Sequence, residues 1–534
     1  MSLLRIATVA VFAAVTAGAC HPAAGTCESL ASLKLPDTTV TAAQSIPAGT
    51  YTAPNGEVFE NMPAFCRVAA TLTPTSDSEI GIEVWMPASD WNRKFEGVGN
   101  GGFAGAIAYT SLAPGVKLGY STASTDTGHV GTSTDGSFAL GHPQKIIDFG
   151  YRAVHLMTVI GKQITSAFYG EDPQHSYFDG CSTGGRQALM EAQRFSDDYD
   201  GIVAGDPVAY YTHHHVGGNL WVVRQMFNNP ASTVFTTQDT LLGNAVNAAC
   251  DALDGVVDGV LNNPRRCHFN PQALLCQGTQ TPPSCLTSEQ VEAVRNIWTG
   301  PDQLVHQRGY YPPFERGAEA DGWPATISPQ PPPAPQTDDH AAIGISFFAN
   351  FVFDNPNWDF RNFNWNSDPA YVDNKVVLGN QTLATVLNSI DPDLSHFRAH
   401  GGKLIQYHGF SDSEVPPKTS IKYFESVRNF PGWSAGASAE SAWQEKTQEY
   451  YRLFMVPGMN HCSGGPGANV FDMLTPLVPW VEQNIAPESV IATHYVNNVP
   501  TQGVAFTRPL CPYPQEAVYK GSGDTHDAGN FACK

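Results

Sequence analysis

Basic side chains are scarce in this 534-residue chain: 29 Lys+Arg stand against 50 Asp+Glu, a formal charge of -21 at pH 7. Such an acidic surplus opposes docking on phosphate backbones or anionic lipid, so nucleic acid is excluded as an expected partner. Charge of either sign is sparse too, at 15% of residues against 42% hydrophobic, which removes the chain from the polar, self-repelling class that stays disordered. After the N-terminus no apolar run approaches the ~18 residues of a membrane-crossing helix, and no internal repeat is present. Turn formers are abundant, with 49 Gly and 40 Pro, as expected of a loop-rich globular protein with a sizeable core. The length exceeds one ordinary core of roughly 100 to 200 residues, so one large domain with an insertion, or two domains, is expected. Eleven Cys is an odd total, which in an exported protein leaves one Cys outside the disulfide framework or as an unpaired thiol.

Residues 1–19 read as a secretory signal peptide: Arg5 is the only charge, 6–15 is apolar, and Ala17-Gly18-Ala19 forms a small-residue cleavage site. The apolar stretch is too short to span a bilayer. Cleavage after Ala19 makes Cys20 the first mature residue. A secreted or periplasmic protein is expected, without membrane attachment unless Cys20 is lipidated; residues 16–20 lack the large aliphatic side chain usual before a lipidated cysteine. Export to an oxidising compartment makes the remaining Cys disulfide candidates.

Up to about residue 125, short alternating or apolar runs such as 80–86 and 94–98 are broken by Pro, Gly and Ser and predict strands. The spacing of Ile147, Tyr151, Val154, Thr158 and Ile160 predicts a helix over 142–169. A short strand over 176–178, the turn Gly180-Cys181-Ser182-Thr183-Gly184-Gly185, a helix through 195 and a strand over 201–204 follow. The stretch 209–395 differs, with four Cys, the proline-rich segment 328–336 and an aromatic cluster over 347–365. It reads as an inserted lid domain between two parts of one core, 20–208 and 396–534. Runs at 403–407 and 450–456 predict that buried parallel strands resume after it.

Gly180-Cys181-Ser182-Thr183-Gly184 fits G-x-S-x-G between a strand and a helix, where glycines permit the strained turn that lifts a serine oxygen clear of the backbone. A serine nucleophile needs a base, and the base needs an orienting carboxylate. Asp412 follows the strand ending Tyr407-His408-Gly409, and His461 follows the strand ending Val456-Pro457-Gly458, so both sit where open parallel sheets place their sites. The chain order Ser, Asp, His is that of α/β-hydrolases. His408 is a rival base and Glu414 a rival orienter. Cys181 precedes Ser182 and Cys462 follows His461; a disulfide between them would hold base against nucleophile and close a loop for which chain entropy gives about 4 to 5 kcal/mol. If Cys462 pairs elsewhere, His461 is an ordinary surface-loop residue. Downstream, Asp251, Asp254 and Asp258 lie close together among glycine turns. Carboxylates this close repel unless neutralised, and hard oxygen ligands suit calcium; a solvated acidic turn is the alternative. His213-His214-His215 reads as a polar lid hinge, because consecutive side chains diverge too far to share a metal.

Gly180 to Arg186, His408-Gly409-x-x-Asp412 with Val415-Pro416-Pro417, and Pro457-Gly458-Met459-x-His461-Cys462 together resemble the tannase and feruloyl esterase family. The resemblance spans almost the whole mature chain. It implies an α/β-hydrolase core with a large inserted lid, Ser182 as nucleophile, His461 as base and Asp412 as its orienter. It implies an oxyanion hole from the backbone of Thr183 with Gly101 or Gly102, and a structural lid calcium held by Asp251, Asp254 and Asp258 side chains with the carbonyls of Val256 and Val260. No organic cofactor is implied. It also implies that Cys181 and Cys462 are disulfide-bonded. Pairing Cys250 with Cys267, Cys276 with Cys285, Cys27 with Cys66 and Cys511 with Cys533 would then leave only Cys20.

The expected function is ester hydrolysis by acyl transfer on Ser182, with Phe347, Phe348, Phe351 and Trp358 sandwiching a planar acyl group unless they are lid core. The substrate expected is a small aromatic ester or a phenolic-decorated polysaccharide, with hydroxycinnamic (feruloyl) esters ahead of galloyl esters. Terephthalate monoesters rank lower, because 341–360 has no Lys or Arg. A catalytically silent hydrolase-fold protein that binds phenolics or polysaccharide, and a peptidase, are the readings from other classes.

Overall fold

The computed structural model describes residues 25–332, 338–430 and 446–534; the signal peptide and Cys20 lie outside them. Nine strands form the central sheet: β1 (Thr38–Ile46), β2 (Phe65–Leu72), β3 (Ile80–Pro87), β4 (Lys94–Val98), β5 (Ser121–Thr125), β6 (His175–Cys181), β7 (Gly201–Gly205), β8 (Lys403–Gly409) and β9 (Tyr451–Val456). Their spatial order is β1-β2-β3-β5-β4-β6-β7-β8-β9. Pairing is antiparallel from β1 through β3 to β5 and parallel at every step from β5 to β9. The parallel strands are covered on both faces, which is why β7 and β9 read in the sequence as apolar runs without alternation. This mixed, mostly parallel sheet is the α/β-hydrolase architecture that the motifs imply.

The helical stretch expected over 142–169 is present as Pro143–Ile147, a π-turn over Asp148–Arg152 and the helix Ala153–Tyr169, which ends where Gly170 takes the left-handed conformation at φ 75°. Ile147, Val154, Thr158 and Ile160 are buried as that spacing requires. One helix escapes the strand-only reading of the first 125 residues: α1 (Tyr109–Lys117) contains Pro114 and Gly115, which hide its periodicity. Gly115 is needed there, because a Cβ would stand 2.0 Å from Glu96 Oε2 and 2.4 Å from Thr122 Cγ2 on the sheet beneath.

Between β7 and β8 the chain makes a long excursion that adds no strand to the central sheet among the described residues. Part of it has its own apolar core, including Val222, Leu242, Val294, Ile297 and Trp323. Its aromatic segment instead joins the main core, where Phe347, Phe348 and Phe351 pack with Phe149 and Tyr211. Five disulfides link the pairs expected: Cys27–Cys66, Cys181–Cys462, Cys250–Cys267, Cys276–Cys285 and Cys511–Cys533.

Candidate active site

β6 runs into Ser182 and straight into the helix α3 (Thr183–Arg194), which continues for three turns. Ser182 sits at φ 63°, ψ -122°, a region that costs an L-residue energy and persists only where surroundings enforce it. Close packing enforces it: a Cβ on Gly180 would lie 2.6 Å from Gly184 O, and one on Gly185 would lie 2.2 Å from Gly205 O. Ser182 N–H donates to Gly205 O at 3.0 Å, tying the turn to the end of β7.

Asp412, three residues beyond β8, is 2% exposed. Its Oδ1 accepts the backbone N–H groups of Glu414 and Val415, both at 2.8 Å. Its Oδ2 accepts His461 Nδ1 at 2.7 Å and lies 3.2 Å from His408 Nε2. Burial works to raise this carboxyl, but His461 and His408, by charge and hydrogen bond, outweigh it and hold it well below the usual carboxylate range. His461 shows the converse. Burial works to lower its imidazole, and the carboxyls of Asp412, Asp206 and Glu414 push it above its ordinary value. With Nδ1 committed to Asp412, His461 Nε2 has no hydrogen-bond partner among the described residues, and His461 lines one cavity with Ser182, Cys181 and Cys462.

The two rivals take other places. His408 is fully buried behind Asp412, with Nδ1 2.6 Å from Ser420 Oγ and Nε2 3.0 Å from Val415 O. Glu414 lines the cavity but makes no bond to His461; burial, then Asp339, raises its carboxyl to about 8.

Sequence reasoning missed Asp206, the residue immediately after β7. It is fully buried, and its φ of 36° aims the carboxylate beneath the disulfide. Gly409 N–H donates to Oδ1 at 2.7 Å and Cys462 N–H donates to Oδ2 at 3.0 Å. The same Oδ2 is 3.4 Å from Cys181 Sγ, a van der Waals contact because that sulfur carries no proton. One carboxylate thus braces β7, the end of β8 and the histidine loop. Burial raises it to about 6, opposed by His408 and His461 and reinforced by Asp412. The available signal was positional: a lone acid at the C-terminal end of an apolar parallel strand, in Gly205-Asp206-Pro207.

The cavity holding Ser182 and His461 has a volume of about 860 Å³ and includes Gly101, Gly102, Ile343 and Glu414 in its wall. Gly102 has φ 54°, and a Cβ there would stand 2.3 Å from Ser133 O. Thr183 occupies the first turn of α3, where helical N–H groups lack intrahelical acceptors, and its Oγ1 donates to Gly102 O at 2.9 Å. These groups flank Ser182 where the oxyanion hole was expected.

Phe347, Phe348, Phe351 and Trp358 do not form the expected aromatic sandwich, since none of the four lines this cavity. The three Phe are at most 1% exposed; Phe347 stacks on His215 at 3.9 Å and Phe348 on Trp358 at 5.1 Å, so their apolar area is spent on core packing. The histidine run is likewise packed in place of hinging: His213 Nε2 bonds Asp373 at 2.8 Å, His214 Nδ1 bonds Tyr311 Oη at 2.9 Å, and His215 is buried between Phe103 and Phe347.

In the acidic loop, Asp258 N–H and Gly259 N–H donate to Asp251, Val256 N–H and Asn262 N–H donate to Asp254, and Val260 N–H donates to Asp258 Oδ1. Gly255 and Gly259 supply the left-handed turns, at φ 89° and 81°. Asp254, Val256, Asp258 and Val260 share the wall of a small cavity of about 30 Å³, room for one ion or water. The three carboxylates do not all converge within 4.8 Å of one another, and Asp258 Oδ2 is paired with Arg508 at 2.6 Å.

Serine on a strained strand-to-helix turn, histidine locked to a buried aspartate, and this strand order define the α/β-hydrolase class. Comparison with known proteins narrows it. Residues 66–534 match the family model for tannase and feruloyl esterase. An uncharacterized esterase of Xanthomonas campestris pv. campestris is 43% identical over 533 residues, covering 96% of this chain and 91% of that protein. A probable feruloyl esterase B-1 of Aspergillus flavus is 31% identical over 546 residues, covering 95% of each. The crystal structure of feruloyl esterase B from Aspergillus oryzae superimposes with a TM-score of 0.82 at 28% identity, covering 95% of this chain and 99% of that one. The tannin acyl hydrolase from Aspergillus niger, at 22% identity and TM-score 0.75, over 94% of this chain and 92% of its own, shares the fold. The chain belongs to the tannase and feruloyl esterase family, and it is a carboxylic ester hydrolase.

The brace at Asp206 is testable. In Asp206→Asn one of the two backbone N–H groups faces an amide donor, so stability falls by about 1–3 kcal/mol and kcat drops. The pH limb of kcat/KM assigned to His461 also moves to lower pH, because one of the carboxylates that raises it is gone. Denaturant melts and pH profiles check this; a profile that keeps its midpoint reduces Asp206 to packing.

Proposed function

We propose that the chain hydrolyses esters of hydroxycinnamic-type aromatic acids through an acyl-enzyme on Ser182, with the excursion between β7 and β8 acting as a lid. The observation that carries the mechanism is the unpartnered His461 Nε2, its other nitrogen held by Asp412, in one cavity with the strained Ser182. Ser182 Oγ attacks the ester carbonyl as its proton passes to His461 Nε2. The carbonyl oxygen gains negative charge against the N–H groups of Thr183 and of Gly101 or Gly102. On collapse the C–O bond to the alcohol breaks, and His461 gives its proton to the leaving oxygen. Water deprotonated by His461 then attacks the acyl carbon, and the acid leaves Ser182. Asp412 keeps the imidazole in the productive tautomer and stabilises its charged form throughout.

The feruloyl esterase names of the relatives support the acyl group; galloyl esters rank second. Among the described residues the cavity wall has no Lys or Arg, so a terephthalate monoester would meet no cation for its free carboxylate. Asp339 and Ile343 of the excursion reach the cavity wall, which supports its role as a lid. The five disulfides and the N-terminal signal pattern support export into an oxidising compartment.

For calcium, Asp254, Val256, Asp258 and Val260 border a space sized for one ion, while Asp251 accepts the N–H groups of Asp258 and Gly259 and Arg508 pairs with Asp258, so binding the ion would require these partners to be exchanged. Asp251, Asp254 and Asp258 with the carbonyls of Val256 and Val260 would hold it. The ion would supply charge neutralisation to a loop bracketed by Cys250–Cys267.

Three outcomes are expected. Methyl ferulate is hydrolysed faster than methyl gallate and a terephthalate monoester, and Ser182→Ala lowers kcat by at least about a thousandfold; an Ala variant with parental turnover contradicts the mechanism. Chelation lowers the melting temperature while methyl ferulate turnover at 25 °C changes little. A melt unmoved by chelator and by added calcium removes the ion from the account.

A further inference from the structure

The cavity at Ser182 has an acid-lined part, a chamber walled by Glu96, Asp179 and Asp472, whose chemistry the ester reading leaves unused. Glu96 pairs with Tyr177 and Val98 with Asp179 across β4 and β6. Residues two apart on a strand share a face, so both carboxyls stand on one side of the sheet. Pro114, Gly115 and Leu118 around the end of α1, with Asp472 and Leu474 at the start of the helix α4 (Leu474–Gln483), complete the wall.

Glu96 is 5% exposed, and its Oε2 has no hydrogen-bond partner among the described residues. Burial, then Asp179 and Asp472, raises Glu96 to about 8, and burial, then Asp472, raises Asp179 to about 7. Buried carboxyls are nearly always bonded, so Glu96, unpartnered among the described residues and set beside Asp179 on a cavity wall, calls for a ligand. Among the described residues that wall has no Lys or Arg, so an entering cation would be the group that draws its three acids into their ionised forms. On the hydroxycinnamic reading the acyl group carries no cation, so a cation drawn to these acids belongs to the departing alcohol.

We propose that this chamber is a leaving-group subsite for cationic alcohols, in which Glu96 and Asp179 face an ammonium group. The inference rests on the ester-hydrolase reading of Ser182. It adds no chemical step: the ester C–O bond breaks, the alcohol oxygen takes the proton from His461, and the ammonium group departs unchanged.

The experiment compares choline ferulate with its neutral isostere, 3,3-dimethylbutyl ferulate, using methyl ferulate as reference. At low ionic strength kcat/KM for the choline ester is at least tenfold above that of the isostere, and in the double variant Glu96→Gln/Asp179→Asn the ratio falls to near one. Because the ratio is taken within one preparation, partial misfolding cancels. Calorimetry with choline alone reads the chamber without turnover: the parent binds it and the double variant does not. A parental ratio at or below one, a ratio unchanged in the double variant, or absence of choline binding overturns the proposal. Failure on all three esters with choline binding retained instead refutes the ester reading and leaves the cation site standing.

Discussion

One covalent link, Cys181–Cys462, joins the strand that leads into Ser182 to the loop that carries His461, across 281 residues of chain. Parallel pairing from β6 to β9 brings the C-terminal ends of four strands to one edge of the sheet, and each end contributes one group: Ser182, Asp206, Asp412 and His461. The sheet sets the strand ends, and the disulfide, with Asp206 beneath it, ties the Ser182 turn to the His461 loop. The excursion between β7 and β8 is free to be long because β7 and β8 still pair directly, from Lys403↔Gly201 to Tyr407↔Gly205.

Three carboxyls crowd His461, and burial set against neighbouring charge and hydrogen bonds separates them. Asp412 accepts two backbone N–H groups and the His461 imidazole, with His408 3.2 Å away, so it holds its charge. Asp206 accepts two N–H groups and remains near neutrality of charge at mildly acid pH. Glu414, with Oε2 unpartnered, keeps its proton. The sign follows for stability as well. Asp412 is depressed on folding, so its contribution is present above the ordinary carboxylate range and is lost as pH falls through the folded value. His461 is raised, so its contribution is complete below its unfolded value and is lost as pH rises through the folded one. The pair therefore stabilises the fold most between those limits, and more acid or alkaline conditions erode it from opposite sides.

What was legible in the sequence had strong local causes. The run 94–98 is a strand as expected, and Gly180 to Gly185 forms the strained turn because only glycine fits where backbones meet. The Cys181–Cys462 pair followed from the family resemblance, and the other four pairs from their positions along the chain. What was not legible depended on packing between distant segments. Pro114 and Gly115 mask α1, and Gly115 is explained only by Glu96 beneath it. The aromatic segment near 347 has the composition of a substrate clamp and of a core alike; only its position against Phe103, Phe149 and His215 decides for the core. Asp206 carries no motif, and its role appears once β8 and the histidine loop close over it.

The central claim is that the Cys181–Cys462 link positions His461 on Ser182. The most direct measurement is kcat for methyl ferulate in the double variant Cys181→Ser/Cys462→Ser, taken at a temperature where circular dichroism shows the variant folded. The account predicts a folded protein whose kcat is lower by about a hundredfold or more, since a misplacement of about 1 Å costs that much. A folded double variant with parental kcat contradicts it.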